Sequence, residues 1–212
     1  MPHHRSNDRR VRAYVGLGAN VGDAETTLAE AVAALVARRG IRLRGVSRLY
    51  ATAPVGVTDQ PEFRNAAVAL DVPAGPDAAT GALDLLATLK DLEREFGRRH
   101  RRRWGPRELD LDLLVFGRAR IAVERPPAAR SLDAETDPAR TARLLEVPHP
   151  AAAARLFVLA PLADLAPRLA PPGWGETVDT ARRRQERLEG ADAVRVVGLW
   201  DPQRGRWTSP AP

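Results

Sequence analysis

Strand-like and helical stretches in the order strand–helix–strand–strand–helix–strand predict an α+β protein with a ferredoxin-like βαββαβ core, an antiparallel sheet with helices packed on it. Three observations carry this prediction. Apolar residues recur at helical spacing around 28–36 and 85–96, and at every second position in the runs between and after them. Glycine and proline punctuate the joins at 40, 53–61, 73–76 and 97. A mixed-charge, proline-bearing stretch at 117–146 has no period and follows the last core strand.

The first strand is expected over 12–18, running into a turn with Gly16, Gly18 and Gly22. Their spacing is not G-x-G-x-x-G, and no Walker loop follows, so neither nucleotide motif is supported. Asp23 is placed to cap a helix whose apolar stripe is Leu28, Val32, Leu35 and Val36. Arg38 and Arg39 suit its C-terminal end and Gly40 its C′ position. Ile41 to Thr52 reads as one strand with Gly45 at a bulge, and Ala53 to Pro61 as a loop. Glu62 to Val72 is the next strand, with Phe63, Asn65, Ala67 and Ala69 on one face. Asp77 caps a second helix carrying Leu85, Leu86, Leu89, Leu92 and Phe96, ended by Gly97. A strand from Asp110 to Phe116 closes the core.

Gly117 to Glu146 is expected to be a long mobile insertion. Helical additions follow, over Ala151 to Leu165 with a break at Pro161, and over Thr177 to Leu188. A single domain is expected over 11–190, with residues 1–10 and 205–212 as flexible tails.

Composition narrows the function. The 212 residues contain no cysteine and four histidines, which excludes disulfides and thiolate metal sites and leaves little for zinc. No apolar run reaches membrane-spanning length and the first residues lack a signal's apolar region, so a cytoplasmic protein without a membrane partner is expected; a monomer is a separate expectation that no motif fixes. The net charge of +6 favours anionic partners. Much of that excess is local: Arg98, Arg99, Arg101, Arg102, Arg103 and Arg107 lie within ten residues of one another. This run leads into Asp110 and Asp112. Alternate strand residues share a face at ~3.3 Å per residue, so the two carboxylates project together about 7 Å apart. Paired carboxylates beside guanidinium groups are what a magnesium–polyphosphate site requires.

Several ordered motifs point the same way. They are residues 14–20, 47–56, 59–66, Gly97-Arg98, residues 103–113, Val147-Pro-His-Pro150 and residues 155–159. With Arg-Trp-Gly-Pro-Arg-Glu-Leu-Asp-Leu-Asp at 103–112 as the most specific, the chain resembles the 6-hydroxymethyl-7,8-dihydropterin pyrophosphokinase family.

The resemblance implies transfer of diphosphate from ATP to the pterin hydroxymethyl group, releasing AMP, in folate biosynthesis. It implies Asp110 and Asp112 as ligands of two Mg²⁺ ions bound with ATP, and Arg98 and Arg107 as catalytic arginines. Thr52, Val55, Phe63, Asn65, Trp104 and Phe157 correspond to pterin-binding positions. Glu93, Arg98, Arg103, Trp104, Arg107, His149 and Arg155 correspond to ATP-binding positions. Ala19 and His100 depart from the family pattern, which has serine and arginine there, and family contacts at Leu144 and Glu146 are not carried over. The alternative from another class is a ferredoxin-like module binding single-stranded nucleic acid. Against it stand 5% aromatic residues and no aromatic RNA-binding strand motif.

Overall fold

Strand β1 (Arg10–Ala19) sits inside the sheet because it has a neighbour on each side: β4 (Phe63–Pro73) pairs along its whole length and β5 (Asp110–Phe116) along Ala13 to Gly18, both antiparallel. The structure, a computed structural model, describes residues 9–54, 59–97, 105–126 and 144–209. Seven strands form the main sheet, in the order β5-β1-β4-β3-β8-β9, with β2 also paired to β4. Among the described residues the protein is thus α+β, with an antiparallel main sheet and four α-helices.

Alternation divides the sheet into two faces. Val15 and Leu17 of β1, Ala66 and Val68 of β4, and Leu111 and Leu113 of β5 point to one side. There they pack under α1 (Ala24–Ala37) and α2 (Ala78–Glu95) through Leu28, Leu35, Leu85 and Leu89, all buried. The helical additions α3 (Leu156–Leu165) and α4 (Val178–Glu189) cover the opposite face, where Leu159, Leu162, Val178 and Ala181 meet Leu114 and Val115. Asp23 and Asp77 cap α1 and α2 as expected, accepting from the Thr26 and Thr80 N–H groups at 3.1 and 2.9 Å. Gly97, at φ 77, ends α2 in the left-handed conformation that only glycine takes without strain. Helix α1 stops at Ala37, before the two arginines expected in its last turn, and Arg38 instead leaves extended to reach Glu95.

The run 41–52 is two strands, β2 (Arg42–Val46) and β3 (Leu49–Thr52), not one. Gly45 marks the expected bulge in β2. The break falls at Ser47 and Arg48 because side chains replace the ladder there. Ser47 donates its N–H to the Ala67 carbonyl at 2.9 Å and its hydroxyl accepts from the Ala67 N–H at 2.8 Å. Arg48 gives both its backbone N–H and its guanidinium to Asp164 on α3.

Three expectations for the C-terminal half need correction. Of the segment expected as an insertion, residues 117–126 and 144–146 carry β6 (Ile121–Glu124) and the start of β7 (Leu144–Val147), an antiparallel pair whose Ile121 and Val147 join the core, and residues 127–143 lie outside the described residues. Helix α3 begins at Leu156, after a 3₁₀ turn at Ala152–Ala154, and continues through Pro161. Burial of Leu159 and Leu162 outweighs the one hydrogen bond that the proline removes. The sheet also extends past residue 190, with β8 (Val194–Asp201) and β9 (Arg206–Thr208) forming a hairpin beside β3. Within the expected tail, Trp207 is buried, packs edge-on against Trp200, and donates its indole N–H to the Ser47 carbonyl at 2.9 Å. Arg10, at the other expected tail, is the first residue of β1.

Candidate active site

The face of the sheet away from α1 and α2 carries a row of the expected site residues. Register places Gly18 of β1 between Asn65 of β4 and Asp110 of β5, and Gly16 between Ala67 and Asp112. The glycine keeps the row open. A Cβ at Gly18 would lie 3.3 Å from Asn65 Oδ1 and 4.0 Å from Asp110 Cβ. Asp110 and Asp112, both half-buried, therefore stand on one strand face as expected, across Gly18 from Asn65.

On the β4 side, Asn65 is buried and donates its amide N–H to the Thr52 hydroxyl at 2.8 Å. That bond orients the amide oxygen toward Gly18. Phe63, two residues earlier, shares the face and is half-buried, opposite Thr52. Tyr50, next along β3, donates its hydroxyl to Asp164, and burial with the Asp164 charge raises its pKa far above the ordinary value. It is a structural tie between β3 and α3.

On the β5 side, the Arg107 guanidinium meets Asp110 at 2.8 Å. Asn20, at the end of β1, holds the entrance to this strand. Its Oδ1 accepts from the Arg107 N–H at 2.7 Å, and its backbone N–H donates to the Arg107 carbonyl at 3.0 Å. Its amide N–H groups reach Gln60 and the Pro61 carbonyl at 3.0 and 3.1 Å. One buried asparagine thus pins the ends of both loops beside the row. It lies in a quoted motif, yet nothing in its local spacing assigned it this work.

His149 follows the cis Val147–Pro148 bond and donates its backbone N–H to the Leu114 carbonyl at 2.9 Å. Burial pushes its pKa down, with Arg155 and Arg125 acting the same way and Asp112 and Asp110 opposing them, so the ring lies within the field of the paired carboxylates. The Arg155 guanidinium stands 5.8 Å from the centre of the Phe157 ring. Among the expected nucleotide residues Glu93 is different. It is 2% exposed, and its Oε1 accepts from the Leu111 N–H at 2.7 Å and from Lys90 Nζ at 2.6 Å.

Arg125, just beyond β6, was not among the expected residues. It is half-buried, and its pKa is lowered by burial against the opposing charges of Asp112, Glu93 and Glu146. Only the pairing of β6 with β7 brings it here, which explains why local sequence gave no signal. Val55, Arg98, His100, Arg103 and Trp104 lie outside the described residues, as do Arg99, Arg101 and Arg102.

The donor set suits a hard cation. Asp110 and Asp112 offer carboxylate oxygens, and no cluster of three or more histidine, cysteine, aspartate or glutamate ligands occurs among the described residues. Mg²⁺ is commonly held by one or two carboxylates, with water and phosphate oxygens completing its shell. No helix among the described residues is long and apolar enough to cross a membrane.

The chain is similar to known proteins over most of its length. The 2-amino-4-hydroxy-6-hydroxymethyldihydropteridine pyrophosphokinase of Bacillus subtilis is 40% identical over 153 residues, covering 72% of this chain and 77% of its own. The enzyme of the same name from Methylorubrum extorquens is 38% identical over 185 residues, or 87% of this chain and 98% of its own. Plasmodium falciparum HPPK-DHPS, crystallised with pteroate, has a TM-score of 0.67 at 13% identity. That likeness covers 95% of this chain and 48% of the other, so the chain spans about half of that protein and shares its fold over this part. The model of the 7,8-dihydro-6-hydroxymethylpterin-pyrophosphokinase (HPPK) family matches residues 14–167. The chain belongs to the HPPK family.

Proposed function

We propose that this protein transfers a diphosphate group from ATP to the hydroxymethyl group of 6-hydroxymethyl-7,8-dihydropterin, releasing AMP, in folate biosynthesis. The observation that carries the reading is the row Asn65–Gly18–Asp110, which places an amide and a metal-type carboxylate on one open face. Names carried by relatives near 40% identity support it. The nucleic-acid-binding alternative gains no support from the family match.

In this reading the pterin lies on the β4 side. Asn65, fixed by Thr52, presents its amide to the pterin's amide-like edge, and Phe63 and Phe157 stack on the ring. ATP lies on the β5 side, with its phosphates toward Asp110, Asp112 and Arg107 and its remainder toward His149 and Arg155. Arg125 adds a cation beside Asp112. Asp110 and Asp112 would hold two Mg²⁺ ions, which when bound neutralise phosphate charge and polarise the transferred group. Arg107, already oriented by Asp110 and by Asn20, is a fixed phosphate donor.

The pterin hydroxymethyl oxygen forms a bond to the β-phosphorus while the bond from that phosphorus to the α–β bridging oxygen breaks. The hydroxyl proton is released and AMP leaves with the bridging oxygen. The protein's part is orientation and charge stabilisation. Val55, Arg98, Arg103 and Trp104 keep the roles that the family motif gives them, with Arg98 as the second catalytic arginine. The core's segment order and antiparallel pairing support reading its fold as ferredoxin-like. The test is direct: purified protein with ATP, Mg²⁺ and 6-hydroxymethyl-7,8-dihydropterin should form AMP only when the pterin is present. Pterin-independent AMP formation, or none, would overturn the reading.

A further inference from the structure

Two charged residues on α2 are buried where its apolar stripe would place leucines. Lys90 is 5% exposed and Glu93 2%. Taking a lysine and a glutamate out of water is unfavourable unless each is paired and further hydrogen-bonded. Here each pairs with the other and with Leu111 of β5, and Glu93 also lies in the field of Arg125. Lys90 Nζ donates to Glu93 Oε1 at 2.6 Å and to the Leu111 carbonyl at 3.0 Å, and the Leu111 N–H donates to Glu93 Oε1 at 2.7 Å. β5 is the terminal strand of the sheet, so these side chains take bonds that a further strand would otherwise supply.

Leu111 lies between Asp110 and Asp112, and its own side chain is fully buried in the core beneath α1 and α2. The residue is held at its side chain, its N–H and its carbonyl. The flanking carboxylates project from the other face of the same strand. We propose that Lys90 and Glu93 are a positioning pair that clamps β5 at Leu111 and thereby sets the spacing and direction of Asp110 and Asp112 toward metal–ATP. The proposal rests on the metal role of those carboxylates given above. It assigns Glu93, a candidate nucleotide contact from sequence, to work through the strand. A clamp of this kind matters because two carboxylates can share a metal–phosphate cluster only within a narrow range of geometry.

The test uses the full chain with Mn²⁺ as a spectroscopic substitute for Mg²⁺ and a non-hydrolysable ATP analogue. The variant Lys90→Met/Glu93→Leu removes both charges at similar volume, a kind of replacement that leaves buried ion pairs folded. Glu93→Gln keeps an acceptor for the Leu111 N–H but removes the charge. Three quantities are read: the thermal midpoint, amide exchange at Leu111, and half-saturating Mn²⁺ with the analogue bound. The expected result is a folded double variant with at least about tenfold faster exchange at Leu111 and about fivefold weaker Mn²⁺ binding, with Glu93→Gln shifted the same way. Unchanged Mn²⁺ binding in either folded variant would reduce the pair to a structural tie and overturn the proposal. Asp110→Ala separates the two readings. If it abolishes Mn²⁺ binding while the pair variants do not change it, the clamp alone fails; if it too has no effect, the metal reading fails and the clamp with it.

Discussion

At Gly18, absence of a side chain decides what the site can hold. The position is flanked by Asn65 and Asp110, and an added Cβ would press on the Asn65 amide oxygen at 3.3 Å, closer than ordinary contact. Gly18→Ala should therefore leave the fold in place but displace the Asn65 amide, which in the proposed reading faces the pterin, raising KM for the pterin about tenfold in steady-state kinetics. An unchanged KM would mean that Asn65 does not face the substrate. Individual residues were unevenly legible in the sequence. Asp110, Asp112, Phe63 and Asn65 could be placed on common faces by a two-residue period, because alternation is a local property of strands. Asn20 and Arg125 could not, since their partners lie on segments 41 and 19 residues away or across the β6–β7 pairing. Lys90 and Glu93 left one trace: charged residues at helical spacing from Leu86 and Leu89, on the face that should be apolar.

Among the elements, the caps and stripes of α1 and α2 were readable because their signals are short-range. The division of 41–52 into β2 and β3 was not, because it depends on Ser47 bonding to Ala67 and Arg48 bonding to Asp164. The strands are also tied by charge. Asp71 on β4 accepts from Arg12 on β1 and Arg44 on β2, joining three strands at one carboxylate. The hydrogen bond from Arg12, followed by that from Arg44, holds the Asp71 carboxyl below the usual range. A lowered folded-state pKa means that the unfolded chain takes up the proton first. The pair's contribution is present in full above the ordinary aspartate value of about 4 and is lost as pH falls through the folded-state value. Both arginines are about half exposed, so water and salt screen the effect. Asp71→Asn should have a lower thermal midpoint than the parent at pH 6, and the difference should close as pH falls below about 4. A gap that persists or widens in acid would rule out this linkage.

Among the described residues the main sheet carries α1 and α2 on one face and α3 and α4 on the other, and the row Asn65–Gly18–Asp110 lies on the face covered in part by α3 and α4. The C-terminal segment is structural rather than appended. Its hairpin extends the sheet at β3, and Trp207 fills the space beside Ser47 where β2 gives way to β3. Trp207→Ala should cost about 3–5 kcal/mol in urea unfolding, the usual range for a buried tryptophan. A loss below about 1 kcal/mol would place the hairpin outside the cooperative unit. Nothing local in residues 205–208 announced this, because three-residue strands acquire their identity from the neighbour they pair with.

In the proposed reading one sheet face holds the pterin beside Asn65 and metal–ATP beside Asp112. Steady-state AMP formation by the parent, Asn65→Ala and Asp112→Ala proteins, with each substrate and Mg²⁺ varied in turn, separates the two halves of this face. Asn65→Ala should raise KM for the pterin by about tenfold or more while leaving KM for ATP within about twofold. Asp112→Ala should lower kcat by at least about a hundredfold and weaken the Mg²⁺ dependence. If both substitutions instead shifted the two substrates alike, or Asp112→Ala kept parental turnover, the face would not be divided in this way.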